Sequence, residues 1–300
     1  MKQTFIAALR YKSGLWDAFM TARVIDGKKI AAEIRSAIKL EIEKKALRLK
    51  IISVSVGTSD AAEVYIGQKR KACDEVGIGF NVLALPEKTT EKALHEKLRE
   101  LNEDKKINGI LVELPLPKHI NPVKVSDSIR PNKDIDGMNP FNYGKLLLGD
   151  KGLAPSTPSA VMEILEREAV KLEGTDVTIV SHSNIIGKPL AMMLLHKNAS
   201  LRVAHVFTKK LKRYTEDAEV LITAAGVPKL ITADLIKEGA TVIDVAMNRV
   251  NGKLCGDVAF EEVSKKAGAI TPVPGGVGPV TVAMLLKNVL LAHTLQDRIV

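Results

Sequence analysis

Five side chains in the first half of this sequence could do chemistry together. Tyr65 and Lys69 stand four residues apart, so on a helix they share one face. An amine held beside an aromatic ring can pass a proton while the ring stacks on a flat substrate, although an isolated Tyr-x-x-x-Lys is as readily a core-edge tyrosine with an exposed lysine. Glu113 ends an otherwise apolar strand and precedes Leu-Pro-Leu-Pro, so its carboxylate lies in solvent beyond the sheet or is aimed into a cleft. Asp134 and Asp136 belong to Lys-Asp-Ile-Asp-Gly. Asp-Gly is ordinary turn chemistry, but a carboxylate there could also accept two N–H bonds from a planar heterocycle.

The second half carries a different signal. Val-Thr-Ile-Val-Ser-His-Ser-Asn-Ile-Ile-Gly-Lys-Pro over 177–189 reads as strand, tight turn and helix, with Pro189 in the first helical turn. Backbone N–H groups at such a turn and a helix N-terminus cradle phosphate. The turn lacks Gly-x-Gly-x-x-Gly and alone is a weak signal. The strands that follow strengthen it. Leu-Ile-Thr-Ala-Ala-Gly-Val-Pro (221–228) ends in small residues, Ala224 among them, and Thr-Val-Ile-Asp-Val-Ala-Met-Asn (241–248) carries Asp244 near its end. Small residues at strand carboxyl ends let a flat ring approach the backbone.

The elements that must position these groups alternate. Ile30, Ile34, Ile38 and Ile42 make a helical stripe before a β-branched strand at 51–56. A helix at 64–77, a strand at 80–85, a helix at 91–103 and a strand at 107–113 follow. The Pro-, Gly- and Asn-rich stretch 130–158 is a linker or an active-site loop. After it come a helix at 159–168 and strands at 176–181, 201–207, 220–225, 241–246 and 269–271. A second Gly/Pro loop (271–279) leads into a last apolar helix at 280–292. This pattern predicts an α/β protein of two domains with largely parallel sheets, a catalytic N-terminal domain and a Rossmann-like C-terminal one, and a ligand cleft between them. The expected boundaries are 1–20 for an extension, 21–158 plus 279–300 for the first domain, and 159–278 for the second.

Composition narrows the function. The chain has 300 residues, 46% of them hydrophobic, and no apolar run reaches the ~18–20 residues of a membrane span. Cys73 and Cys255 make no disulfide framework, and the six histidines show no metal-ligand spacing. The net charge of +9 is spread along the chain, and aromatics are only 4%, which argues against nucleic acid and for mild steering of small anions. Lys2, Arg10 and Lys12 precede the first acidic residue, Asp17. This segment reads as an extension upstream of a start at Met20, giving a cytoplasmic protein, or as a transit peptide to an organelle.

Five stretches together resemble the bifunctional methylenetetrahydrofolate dehydrogenase–cyclohydrolases: VYIGQKRKAC (64–73), GILVELPLP (109–117), NKDIDGMNPFNYGKL (132–146), SNIIGKPLA (183–191) and ITPVPGGVGPVTVAMLL (270–286). The resemblance runs from about residue 22 to 293. It implies hydride transfer from 5,10-methylenetetrahydrofolate to NADP, then hydrolysis of the methenyl product to 10-formyltetrahydrofolate, within one-carbon metabolism that feeds purine biosynthesis. It implies Lys69 as general acid/base, Tyr65 as the ring that stacks on the aminobenzoyl group, Asp136 as anchor of the pterin, and Pro274, Gly275 and Gly276 as a close-wrapping substrate loop. Thr157, Ser183, Ile185, Thr208, Ala224, Gly278 and Thr281 become dinucleotide contacts, and a homodimer through the dinucleotide-binding domain is implied.

The departures from that family fall at functional positions. Glu113 replaces a glutamine beside the catalytic lysine. A carboxylate there should hold Lys69 as an ammonium, slowing the hydrolytic step or moving its pH optimum upward. His182 replaces the arginine that meets the 2′-phosphate, and the family's His-Ser pair reads His205-Val206, with Lys209 and Lys210 nearby. NADP stays first, with NAD possible. Ala62 and Ser156 replace a serine and a cysteine. The alternatives are therefore a dehydrogenase with an impaired cyclohydrolase, or a non-catalytic paralogue that binds folate or dinucleotide.

Overall fold

The structure is a computed structural model and describes residues 22–57, 60–150 and 152–297. The expectations for residues 1–20 lie outside the described residues. The chain divides into two compact units, one holding the segment up to Gly27 with Leu165–Gly278, the other holding Lys28–Ile164 with the residues from Pro279 onward.

The second of these, the lysine-bearing unit, is built on three parallel strands, β2 (Lys50–Val56), β3 (Gly79–Leu85) and β4 (Gly109–Val112), in the order β3-β2-β4. β2 is central, and every residue from Ile51 to Val56 is buried, which explains a β-branched run without alternation. Helix α1 (Gly27–Lys44) presents the buried Ile30, Ile34, Ile38 and Ile42, and α2 (Asp60–Val76) and α3 (Glu91–Glu103) connect the strands. Thr90 caps α3, its hydroxyl accepting from Ala93 N at 3.2 Å. One face of the sheet closes over Val54, Leu94, Leu98, Ile110 and Val125.

The stretch 130–158 is not one long loop. Just before it runs α4 (Pro122–Asp127); within it lies α5 (Pro140–Leu148), and from its end α6 (Ser156–Arg167) begins. Asn121 and Asn139 cap α4 and α5, each with proline in the first turn. The Asn-Pro pairs that look like loop chemistry are therefore helix starts.

The six-stranded sheet of the other unit has all its strands parallel, in the order β1-β11-β8-β7-β5-β6. They are β1 (Arg23–Val24), β5 (Asp176–Val180), β6 (Ser200–Ala204), β7 (Val220–Thr223), β8 (Thr241–Asp244) and β11 (Ala269–Ile270). Helices α7 (Gly187–Leu195), α8 (Lys212–Thr215) and α9 (Phe260–Val263) belong here too. The sheet is shorter-stranded than the pattern suggests: β6 stops at Ala204, because Thr208 Oγ1 accepts from His205 N (2.8 Å) and turns the chain away. The antiparallel hairpin β9 (Asn248–Val250)–β10 (Lys253–Cys255) was not expected. It turns on Asn251-Gly252, both with positive φ.

Two expectations need correction. Residues 23–24 pair with β11, not with the first domain, held by Arg23 N to Gly268 O (2.9 Å) and Ile25 N to Ile270 O (2.8 Å). A two-residue strand carries no periodicity by which it could be placed. The last helix, α10, runs Val277–Asp297, and its 21 residues are by length and composition enough to cross a membrane. In its unit it is a core helix. Val280, Ala283, Leu286, Val289 and Ala292 are buried, Asn288 Nδ2 donates to Ile135 O (2.8 Å) and Ala154 O (2.9 Å), and Gln296 Nε2 donates to Asn108 O (2.8 Å) and Asn132 O (2.7 Å).

Candidate active site

In the lysine-bearing unit the structure brings three of the four expected catalytic groups into one electrostatic cluster. Helix α2 carries Lys69 to the end of β4, where its Nζ donates to both oxygens of Glu113 at 2.9 and 2.8 Å. The Glu113 side chain is 7% exposed and that of Lys69 17%, so this carboxylate points inward rather than into solvent. Its backbone N donates to Val54 O (2.8 Å), one residue beyond the ladder. Ser53, fully buried on β2, donates its hydroxyl to Glu113 Oε1 at 2.6 Å. Sequence reasoning missed Ser53, although two serines in a strand with every residue buried demand partners.

Asp136 is the third member. Removal from water pushes its carboxyl above the ordinary range, Lys69 opposes that rise and Glu113 adds to it. Asp134 has a different job. It is buried and accepts from Asn139 N (2.7 Å) and Asn142 Nδ2 (2.9 Å), through the same oxygen. Burial pushes its carboxyl up to about 6. Asp134 is thus the turn-forming residue of the Asp-x-Asp pair, and Asp136 is the one whose charge couples to Lys69 and Glu113. Tyr143 of α5, also missed, has its hydroxyl pushed up by burial and by the Asp136 and Asp134 carboxylates. Tyr65 shares α2 with Lys69 and is half-buried, which raises its phenol as well. Thr157 and Thr281 lie in this unit, in the first turns of α6 and α10.

In the six-stranded unit the turn after β5 is tight. Gly187 starts α7 so close to the strand that a Cβ would stand 2.2 Å from Ser181 O. Ser183 Oγ accepts from Ile186 N (3.1 Å) and Gly187 N (3.4 Å), capping the helix. Ile185 is exposed at the tip. Across the adjacent strand end the rings of His182 and His205 lie 4.6 Å apart, with exposed Phe207 edge-on to both. Thr208 closes this corner through His205, and Ala224 N donates to Val180 O (3.1 Å), setting the loop after β7 beside the turn. His182, Ser183, His205, Thr208 and Ala224 thus share one edge of the sheet.

The second Gly/Pro loop closes on its own unit. Pro274 is exposed, Gly275 has φ +109°, and a Cβ on Gly276 would stand 2.6 Å from Pro272 O. Gly278 is exposed near Met247. Asp244 is no ligand group. It is buried, accepts from Ala246 N (3.1 Å), Asp257 N (3.1 Å) and Val258 N (2.8 Å), and burial pushes it up to about 6.

Comparison with known proteins meets this geometry from outside. Residues 25–136 match the model of the tetrahydrofolate dehydrogenase/cyclohydrolase catalytic domain, and residues 155–297 match that of the tetrahydrofolate dehydrogenase/cyclohydrolase NAD(P)-binding domain. The bifunctional protein FolD of Moorella thermoacetica is 48% identical over 277 residues, 91% of this chain and 99% of the relative. Among solved structures, the FolD methylenetetrahydrofolate dehydrogenase/cyclohydrolase of Campylobacter jejuni has a TM-score of 0.89 at 43% identity, covering 92% of this chain and 99% of that one. The Trypanosoma brucei dehydrogenase–cyclohydrolase, complexed with NADP cofactor and inhibitor, has a TM-score of 0.88 at 36% identity, with 92% and 99% covered.

Proposed function

This chain belongs to the tetrahydrofolate dehydrogenase/cyclohydrolase family, and from that premise we infer the reaction it carries out. It oxidises 5,10-methylenetetrahydrofolate with NADP to the 5,10-methenyl form and hydrolyses that to 10-formyltetrahydrofolate. The observation that carries the assignment of chemistry to residues is the Lys69–Glu113–Asp136 cluster.

Bound NADP supplies the hydride acceptor. The turn after β5 fits it in shape: Gly187 leaves the space that a side chain would fill. The 2′-phosphate falls to His182 and His205, with Lys209 and Lys210 following. Histidine is a weaker partner than arginine, so we place the margin of NADP over NAD as narrow. Relative kcat/KM for the two dinucleotides measures it.

On the substrate side, hydride transfer needs no nucleophile from the protein, only two rings held face to face. Tyr65 supplies a stacking surface for the aminobenzoyl group, and Asp136 accepts the paired N–H donors of the pterin. In the hydrolytic step Lys69 takes a proton from the attacking water and returns it to the departing ring nitrogen. Glu113 works against that step, because its two oxygens engage the Lys69 Nζ that the water must reach. This geometry supports a second reading, a dehydrogenase whose cyclohydrolase is slow at neutral pH.

One assay separates these readings. The protein is given 5,10-methylenetetrahydrofolate and NADP+, and methenyl product is resolved spectroscopically from reduced dinucleotide. Reduced dinucleotide without methenyl accumulation means both activities run. Accumulated methenyl product means that the cyclohydrolase is impaired. Neither product, with NAD+ failing too, leaves a non-catalytic binder. We further propose a homodimer formed through the six-stranded unit, where β6 is an edge strand with Val203 exposed. Sedimentation at the monomer mass would refute it.

A further inference from the structure

The six-stranded unit holds a fully buried carboxylate that the chemistry above does not use. Asp257 is 0% exposed and accepts five hydrogen bonds. Its Oδ2 takes Thr223 Oγ1 (2.9 Å), Ala225 N (2.6 Å) and Gly226 N (3.2 Å), and its Oδ1 takes Val227 N (2.8 Å) and Asn248 Nδ2 (3.0 Å). The backbone of Asp257 is fixed in turn by the Asp244 carboxylate.

Three consecutive N–H groups therefore turn inward onto one side chain. In a trans peptide the carbonyl points opposite to the N–H, so the carbonyls of Ala224, Ala225 and Gly226 point away from Asp257. Residues 225–227 are exposed. The loop offers its ligand acceptors and no donors.

Its position says which ligand. From β5 the chain passes to β6 on one side, and β7 then takes the place on the other side. That reversal is the switch point at which a parallel sheet binds a dinucleotide. The β5 turn takes the pyrophosphate and the β6 side takes the adenosine half, which leaves the loop after β7 to the nicotinamide half. Phosphate oxygens are acceptors and gain nothing from a row of carbonyls, whereas ribose hydroxyls donate.

We propose that Asp257 is a positioning residue for the dinucleotide: it orients the 224–226 carbonyls to accept from the hydroxyls of the nicotinamide-side ribose. This rests on the functional reading above and deepens it. The test uses the full-length protein with Asp257→Asn, which sets an amide donor against backbone N–H groups, and the milder Asn248→Ala, which removes one donor to the carboxylate. Two readouts come from one preparation, the KM for NADP+ in the oxidation and the hydrolysis of supplied 5,10-methenyltetrahydrofolate, which needs no dinucleotide. Asp257→Asn is expected to raise the NADP+ KM about 10-fold, the worth of one hydrogen bond, and Asn248→Ala about 3-fold. Hydrolysis stays within about 2-fold for both. An unchanged NADP+ KM in either folded variant overturns the proposal, and so does parallel loss of both activities. If Asp257→Asn does not fold, Asn248→Ala decides alone. Should the wild-type protein fail to oxidise the folate, the functional reading falls, and calorimetric titration with NADP+ still tests Asp257 by the same fold-changes.

Discussion

Replacing Glu113 by glutamine should accelerate the hydrolytic step while leaving the oxidation nearly untouched. The wild-type carboxylate grips the Lys69 ammonium with two bonds, at 2.8 and 2.9 Å, between side chains only 7% and 17% exposed. Solvent screens such a pair little. A charge-assisted hydrogen bond contributes about 1.5–3 kcal/mol net and a neutral one about 1. Exchanging charge for an amide of the same shape therefore loosens the hold on Lys69 Nζ by roughly 1–2 kcal/mol, a factor of about 5 to 30. The amide keeps an acceptor for the Ser53 hydroxyl, so the packing has reason to survive. The assay is the decay of methenyl-folate absorbance at fixed pH, corrected for uncatalysed hydrolysis and repeated from acid to alkaline pH. The rate at neutral pH should rise by up to that factor, with the NADP+-dependent oxidation within about 3-fold of wild type. A rate at or below wild type across the whole range would refute the argument that this carboxylate restrains Lys69.

Three further outcomes follow from buried polar groups. Asp134 is held at about 6 by burial, above its unfolded value, so its stabilising contribution is present below about pH 4 and lost as pH rises through 6. Asp134→Asn should therefore be more stable than wild type at pH 7.5 by up to ~3 kcal/mol, with the difference vanishing near pH 4 in denaturant titrations. Asp136 is shifted in the same direction, so the KM for the folate should begin to climb on the acid side at a higher pH than an exposed aspartate would cause, and a climb that begins no earlier than that would count against its anchoring role. Ser156 Oγ is buried and finds no partner among the described residues, so Ser156→Ala should raise thermal stability by about 1 kcal/mol, measured by calorimetry.

The parts of the fold legible in the sequence are those where one physical signal dominates. β2 is a buried β-branched run, and α3 is bounded by a threonine cap and a clean stripe. Where two signals compete, the pattern misleads. Asn139-Pro140 is both turn chemistry and a helix start, and only the packing of α5 decides for the helix. β1 is invisible, since its two residues are exposed and its side-chain tie, Arg23 to Glu168, spans 145 residues. At the site, Lys69, Asp136 and the nearness of Glu113 to the lysine are legible through the family resemblance. Ser53 is not, because strand register across 60 residues decides that it meets Glu113. Asp257 had no signal at all, since three of its five partners are backbone groups 30 to 32 residues away.

The pairing of β1 with β11 bears on how the molecule is made. Residues 23–24 leave the ribosome among the first, and their partners at 269–270 nearly 250 residues later. The lysine-bearing unit waits as long, because Asn288 and Gln296 of α10 clamp the loop that carries Asp134 and Asp136. Neither unit can close early in elongation: the sheet waits for β11 and the lysine-bearing unit for α10, leaving nascent intermediates exposed to chaperones and proteases. A premature stop near residue 280 would then spare the sheet it directly follows and cripple the half of the protein that was synthesised first.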